Sequence, residues 1–96
     1  MVYSSATTWQ YADIECKEDD IFTVDCMGLK NNSIEIPVWI FLDSNNEILN
    51  HCEDYGVIIQ KYIIAPPRAT RLILNNQNAY STGKCYYGKY ILNDQI

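Results

Sequence analysis

An all-β, single-domain fold is predicted by three features of this 96-residue chain. Apolar runs alternate with clusters of Asn, Asp, Ser, Gly and Pro, the punctuation expected between short strands. The clearest segment alternates with period two, setting Phe22, Val24 and Cys26 against Thr23 and Asp25, as a half-buried strand does. No long stretch carries a helical stripe free of strand formers. Seven to eight short antiparallel strands at this spacing indicate a β-sandwich of jelly-roll type over residues 1–96. A composition of 48% hydrophobic and 20% charged residues is that of a globular domain rather than a disordered one.

Element by element, the first strand is predicted over 9–16. Trp9, Tyr11, Asp13 and Glu15 share one face, and Ala12, Ile14 and Cys16 the other. Lys17-Glu18-Asp19-Asp20 makes a turn into a second strand over 21–27, which ends in a loop over 28–33. A third strand is expected over 34–42, central in its sheet, with Pro37 at a bulge or an edge because it donates no ladder hydrogen bond. Ser44-Asn45-Asn46 closes a hairpin into a strand over 48–52, since Asn tolerates the left-handed conformation. Strands over 57–64 and 70–75 flank Pro66-Pro67. A polar loop over 76–83 and a last strand over 85–92 close the domain.

Charge is unevenly distributed. Residues 1–54 carry eleven acids against Lys17 and Lys30, while residues 55–96 carry five bases against Asp94, for a total of −5. A net acid repels phosphate, so nucleic acid is excluded as an expected partner. Should the asymmetry survive folding as a dipole, head-to-tail contact with copies of itself becomes feasible. The four cysteines (16, 26, 52 and 85) lack Cys-x-x-Cys spacing, so zinc is not expected and free thiols are. Met1-Val2-Tyr3-Ser4-Ser5 has no basic region or apolar core, and no apolar run approaches a membrane span, so neither a signal peptide nor membrane insertion is expected. The run from Met1 to Ile96 reads as a complete small gene product.

Three local signals follow one another in a fixed order along the chain. Ile14-Glu15-Cys16-Lys17-Glu18-Asp19-Asp20 matches a strand entering a Lys-Pro-Gly-Asp-like turn. Phe41-Leu42-Asp43-Ser44-Asn45 matches an apolar strand ending in Phe-Tyr-Asp-Ser-Asn. Ala65-Pro66-Pro67-Arg68-Ala69-Thr70-Arg71-Leu72 matches Val-Pro-x-x-Ala leading into an aliphatic strand. Together these signals resemble, in order, those of small jelly-roll modules in phage tail and fibre proteins and beside bacterial surface hydrolases; the resemblance covers about residues 9–75 and rests mostly on turn chemistry. Glu18-Asp19 replaces Pro-Gly, and Leu42 replaces an aromatic that would serve sugar binding. The resemblance implies a carbohydrate-binding module.

No catalytic constellation emerges. His51 and Cys52 are neighbours on a strand and point to opposite faces, which does not suit a nucleophile and its base. Asp19, Asp20 and Asp25 are an alternative calcium set, with solvated turn acids as the simpler reading. Asp43-x-Asn45-x-Glu47 copies the opening of a calcium loop. It then has Ile48 where glycine is needed, so an Asx turn is expected. Nothing picks out a carboxylate pair for glycoside hydrolysis.

The best functional lead is aromatic. Sugars stack their C–H faces on Trp and Tyr, while amides, Arg and carboxylates take the hydroxyls. Trp9, Tyr11, Tyr55 and Tyr80, with Arg71 and Asn75, are therefore the expected carbohydrate-binding residues, without cofactor or metal. The expected function is non-catalytic attachment to a glycan or cell-surface polysaccharide by a small phage virion protein in a decoration, fibre or tail role. The alternatives are a purely structural virion subunit, bound to other virion proteins or copies of itself, or an accessory domain of a secreted polysaccharide-degrading enzyme.

Overall fold

The computed structural model describes residues 2–3, 9–77 and 83–89. Nine strands and no helix occur among them: β1 (Val2–Tyr3), β2 (Trp9–Glu15), β3 (Ile21–Lys30), β4 (Glu35–Ile36), β5 (Trp39–Leu42), β6 (Ile48–His51), β7 (Gly56–Ile64), β8 (Arg71–Gln77) and β9 (Lys84–Tyr87). They form two antiparallel sheets. The first has the order β1-β2-β8-β5-β6; the second has β4-β3-β7, with β9 also paired to β3. The chain changes sheet at 16–20, at Pro37, at 52–55, at 65–70 and again between β8 and β9, while β1–β2, β3–β4 and β5–β6 are neighbours in both sequence and sheet.

The core lies where alternate residues of both sheets meet. Phe22, Val24, Cys26 and Ile63 from the second sheet face Phe41, Leu72 and Leu74 from the first, all buried. Trp39 tilts against Phe41 at 5.6 Å. That placement leaves the Trp39 indole Nε1 buried without a hydrogen-bond partner among the described residues.

Several expectations are corrected. The single strand over 34–42 is two strands in different sheets, because Pro37 ends β4 and turns the chain across to β5. Proline cannot continue a ladder, and here its carbonyl accepts a 2.9 Å bond from Asn75 Nδ2 instead. This split, together with the short β1, raises the count from the expected seven or eight to nine. The second strand does not stop at Met27 but runs on through Gly28 to Lys30. Gly28 is therefore a close-approach residue rather than a loop residue: a Cβ there would lie 2.9 Å from Ile36 O. Thr23, expected to face solvent, is buried, since its register partners are Tyr62 on one side and Tyr86 on the other. The strand predicted over 70–75 extends to Gln77. The predicted loop tip over 78–82 and residues 90–92 of the last strand lie outside the described residues.

The turns follow their side chains. Asp43 is buried, and its Oδ1 accepts from Asn45 N at 2.8 Å and Glu47 N at 3.0 Å. Asn46 takes the left-handed conformation (φ 63°). This is the Asx turn expected of that segment, with the carboxylate used by the backbone. At 17–20, Asp20 accepts from Lys17 N at 3.0 Å and from Tyr87 Oη at 3.0 Å.

The Lys17 amide, followed by Tyr87 and the Lys17 charge, holds the Asp20 carboxyl below the ordinary carboxylate range. Its folded pKa is thus lower than its unfolded one. The stability it contributes is complete above the unfolded value and is lost as pH falls through the folded value. Thermal melts of Asp20→Asn are expected to show a shallower loss of Tm below about pH 4 than the parent chain.

Candidate functional site

The first sheet brings four outward-facing side chains together. Trp9 and Tyr11 are two apart on β2 and so share a face. Their register partners on β8 are Gln77 and Asn75. Directly opposite residues of an antiparallel pair stand on the same side of the sheet. Two aromatic rings and two amides therefore occupy adjoining positions on the outer face of the β2–β8 pair. Tyr11 is 41% exposed, and Asn75 has its amide oriented by the bond to Pro37 O. Gln77 is not among the residues expected from sequence, because Asn76-Gln77 reads as the start of the polar loop over 76–83. The usable signal is that Arg71, Ile73, Asn75 and Gln77 hold strict alternation with the buried Leu72, Leu74 and Asn76.

A buried amide pair backs this strip from the core side. Asn76 Nδ2 donates to Gln10 Oε1 at 2.8 Å, and Asn76 Oδ1 accepts from Met27 N at 2.8 Å. β2 and β8 are thereby tied to β3 of the other sheet. Gly83 closes against the same pair: a Cβ there would stand 2.8 Å from Asn76 Cβ and Cγ and 3.0 Å from Cys26 Sγ. Gly83→Ala is expected to destabilise the domain by about 1–3 kcal/mol through overpacking, read as a shifted urea midpoint.

The other expected residues are elsewhere or already engaged. Arg71 is on the same outer face but pairs with Glu15, four residues along β2 from Tyr11, or about 13 Å. Its Nε and Nη2 bind both carboxylate oxygens of Asp13, and its Nη1 donates to Asn46 Oδ1. These bonds hold the guanidinium charged and the Asp13 carboxyl below its ordinary range. Arg71 thus joins β2, β8 and the β5–β6 turn. Tyr55 is half-buried beside the second sheet, with Lys30 Nζ 5.6 Å from its ring centre. Desolvation, followed by the charge and hydrogen bond of Glu35, raises its phenol pKa. Tyr80 lies outside the described residues.

The His–Cys neighbours and the acidic residues do not converge on one another among the described residues. Cys52 is buried and donates to Asp54 O at 3.1 Å, whereas His51 Nδ1 contacts Cys52 O, so thiol and imidazole do not engage one another. All four cysteines are free. Burial pushes Cys26 up to about 12 and Cys85 up to about 11, far from the range of a reactive thiolate. Asp20 is tied to Lys17 and Tyr87, while Asp25 stands further along β3 opposite Lys84. No group of three or more His, Cys, Asp or Glu among the described residues is placed to hold a metal. A partly open pocket of about 320 Å³ is lined by Ala12, Ile14 and Leu74 of the first sheet and by Gly83, Lys84, Cys85 and Tyr86 at β9. No helix of the described residues is long and apolar enough to cross a membrane.

Comparison with known protein families, curated proteins and solved structures found no significant match.

Proposed function

We propose that this chain is a non-catalytic attachment module, a β-sandwich of jelly-roll type that binds a glycan on the outer face of its first sheet. The observation that carries this reading is the pairing of Trp9 with Gln77 and of Tyr11 with Asn75. The rings offer apolar faces to sugar C–H groups, and the amides offer donors and acceptors to the hydroxyls. Arg71, committed to Asp13, acts as a brace beside the site. No cofactor or metal enters this reading. The similarity of the turn motifs to those of phage and hydrolase-associated modules supports a place in a virion, as a decoration, fibre or tail component, or in a larger secreted polysaccharide-degrading protein. The acidic net charge argues against nucleic acid.

The test is a glycan array followed by NMR titration of the best hit. Shifts should centre on Trp9, Tyr11, Asn75 and Gln77, and Tyr11→Ala should weaken binding at least about tenfold without changing the melt, a loss of about 1.4 kcal/mol. An array without hits, or shifts centred on Tyr55, overturns the reading. One observation favours a second reading, a purely structural subunit: the second sheet also exposes apolar residues on its outer face.

A further inference from the structure

The second sheet is apolar on both faces. Besides the core face, its outer face carries Val57, Ile59, Tyr62 and Ile64 from β7 and Tyr86 from β9, all between 41% and 57% exposed. Register places them in one surface: Ile64 stands opposite Ile21, Tyr62 and Tyr86 flank Thr23, and Val57 stands opposite Met27. A sheet face with one side in water ordinarily alternates to polar residues there, and a contiguous apolar face of this kind marks an interaction surface.

Charge selects the occupant. The only acid on this outer face among the described residues is Asp25, set opposite Lys84. Lys84 offsets that acid, and Lys89 lies 5.7 Å from the ring of Tyr62 on the same face. The face is therefore net positive on a chain whose total is −5. Two copies meeting through this face alone would set lysines against lysines. The outer face of the first sheet is its complement. It has an apolar strip of Ile40, Ile73, Leu42 and Ile48, bordered by Asp13 and Glu15 with Arg71 as the opposing base. Along β2 and β8 that strip begins at the Asp13–Ile73 pair, the next outer-face pair after Tyr11–Asn75, and runs away from Trp9 and Gln77.

We propose that copies of this chain stack head to tail, the outer face of the second sheet of one copy docking on the apolar-acidic half of the outer face of the first sheet of the next. Such a heterologous contact uses two different surfaces, so a pair keeps one of each free and the assembly grows beyond two. It does not depend on the glycan reading, which concerns the other half of the first sheet.

Sedimentation of the full chain over a wide concentration range tests this. The weight-average mass should rise past that of a dimer, and high salt should lower it by screening the charged rim. Ile59→Lys should hold the chain monomeric with an unchanged melt. Glu15→Lys and Lys84→Glu should each weaken association at least about tenfold by opposing like charges. Mixing those two variants should restore it, because each then offers the other a matched face. A mass that stays monomeric, one that levels off at a dimer, or charge variants that associate like the parent would each overturn the proposal.

Discussion

Asn76→Ala is expected to lower the unfolding free energy by about 2–4 kcal/mol, more than its size suggests. The side chain is fully buried at the end of β8. Its two amide atoms serve Met27 N on β3 and Gln10 Oε1 on β2, both at 2.8 Å. Truncation strands the Met27 N–H and leaves Gln10 Oε1 only a long 3.4 Å bond from Gly83 N in a buried site, and an orphaned group there costs about 1–3 kcal/mol. Leucine would restore the volume but not the partners, so Asn76→Leu should recover little. Urea unfolding measures both variants, and a double cycle with Gln10→Ala separates the shared term: coupling of at least about 0.5 kcal/mol is expected for residues in one network. A loss below about 0.5 kcal/mol for Asn76→Ala would mean that the pair does not join the sheets.

Phe41→Ala should cost about 3–5 kcal/mol. Phe41 is fully buried in the middle of β5, stands opposite Leu72 on β8 and leans on Trp39. It belongs to the same core cluster as Val24 and Ile63 of the facing sheet, so the hole left by its ring borders both sheets and neither can close it alone. Ile48→Ala, only six residues beyond the end of β5 and 61% exposed, is the control. Its change should stay within about 0.5 kcal/mol. Equal losses from the two would place the core elsewhere.

How much of this was legible from sequence differs by element. Where one face is apolar and the other polar, as in β2, alternation named the outward residues correctly: Tyr11, Asp13 and Glu15 are exposed, and Ala12 and Ile14 are packed against the core. The turns at 17–20 and 43–47 were equally readable, because Asp and Asn bond to a backbone only a few residues away. Alternation failed where both faces of a strand are covered. Thr23 looks polar and outward, yet two tyrosines from strands distant in sequence close over it. Of the six residues expected to bind a glycan, Trp9, Tyr11 and Asn75 meet on one surface. Arg71 shares that sheet face but is held by Asp13, and Tyr55 belongs with Lys30 and Glu35.

Local chemistry was enough for the all-β class, most strand positions and the turns, because period-two patterning and Asx bonding act over a handful of residues. Which strand lies in which sheet was not local. Pro37 sends β4 and β5 to different sheets, and β2 finds β8 some sixty residues away. These long-range pairings put Gln77 beside Trp9, bury Asn76 against Met27, and turn an apolar face of the second sheet outward. Burial of side chains from both sheets in one core selects that arrangement, and no short stretch of the chain carries it.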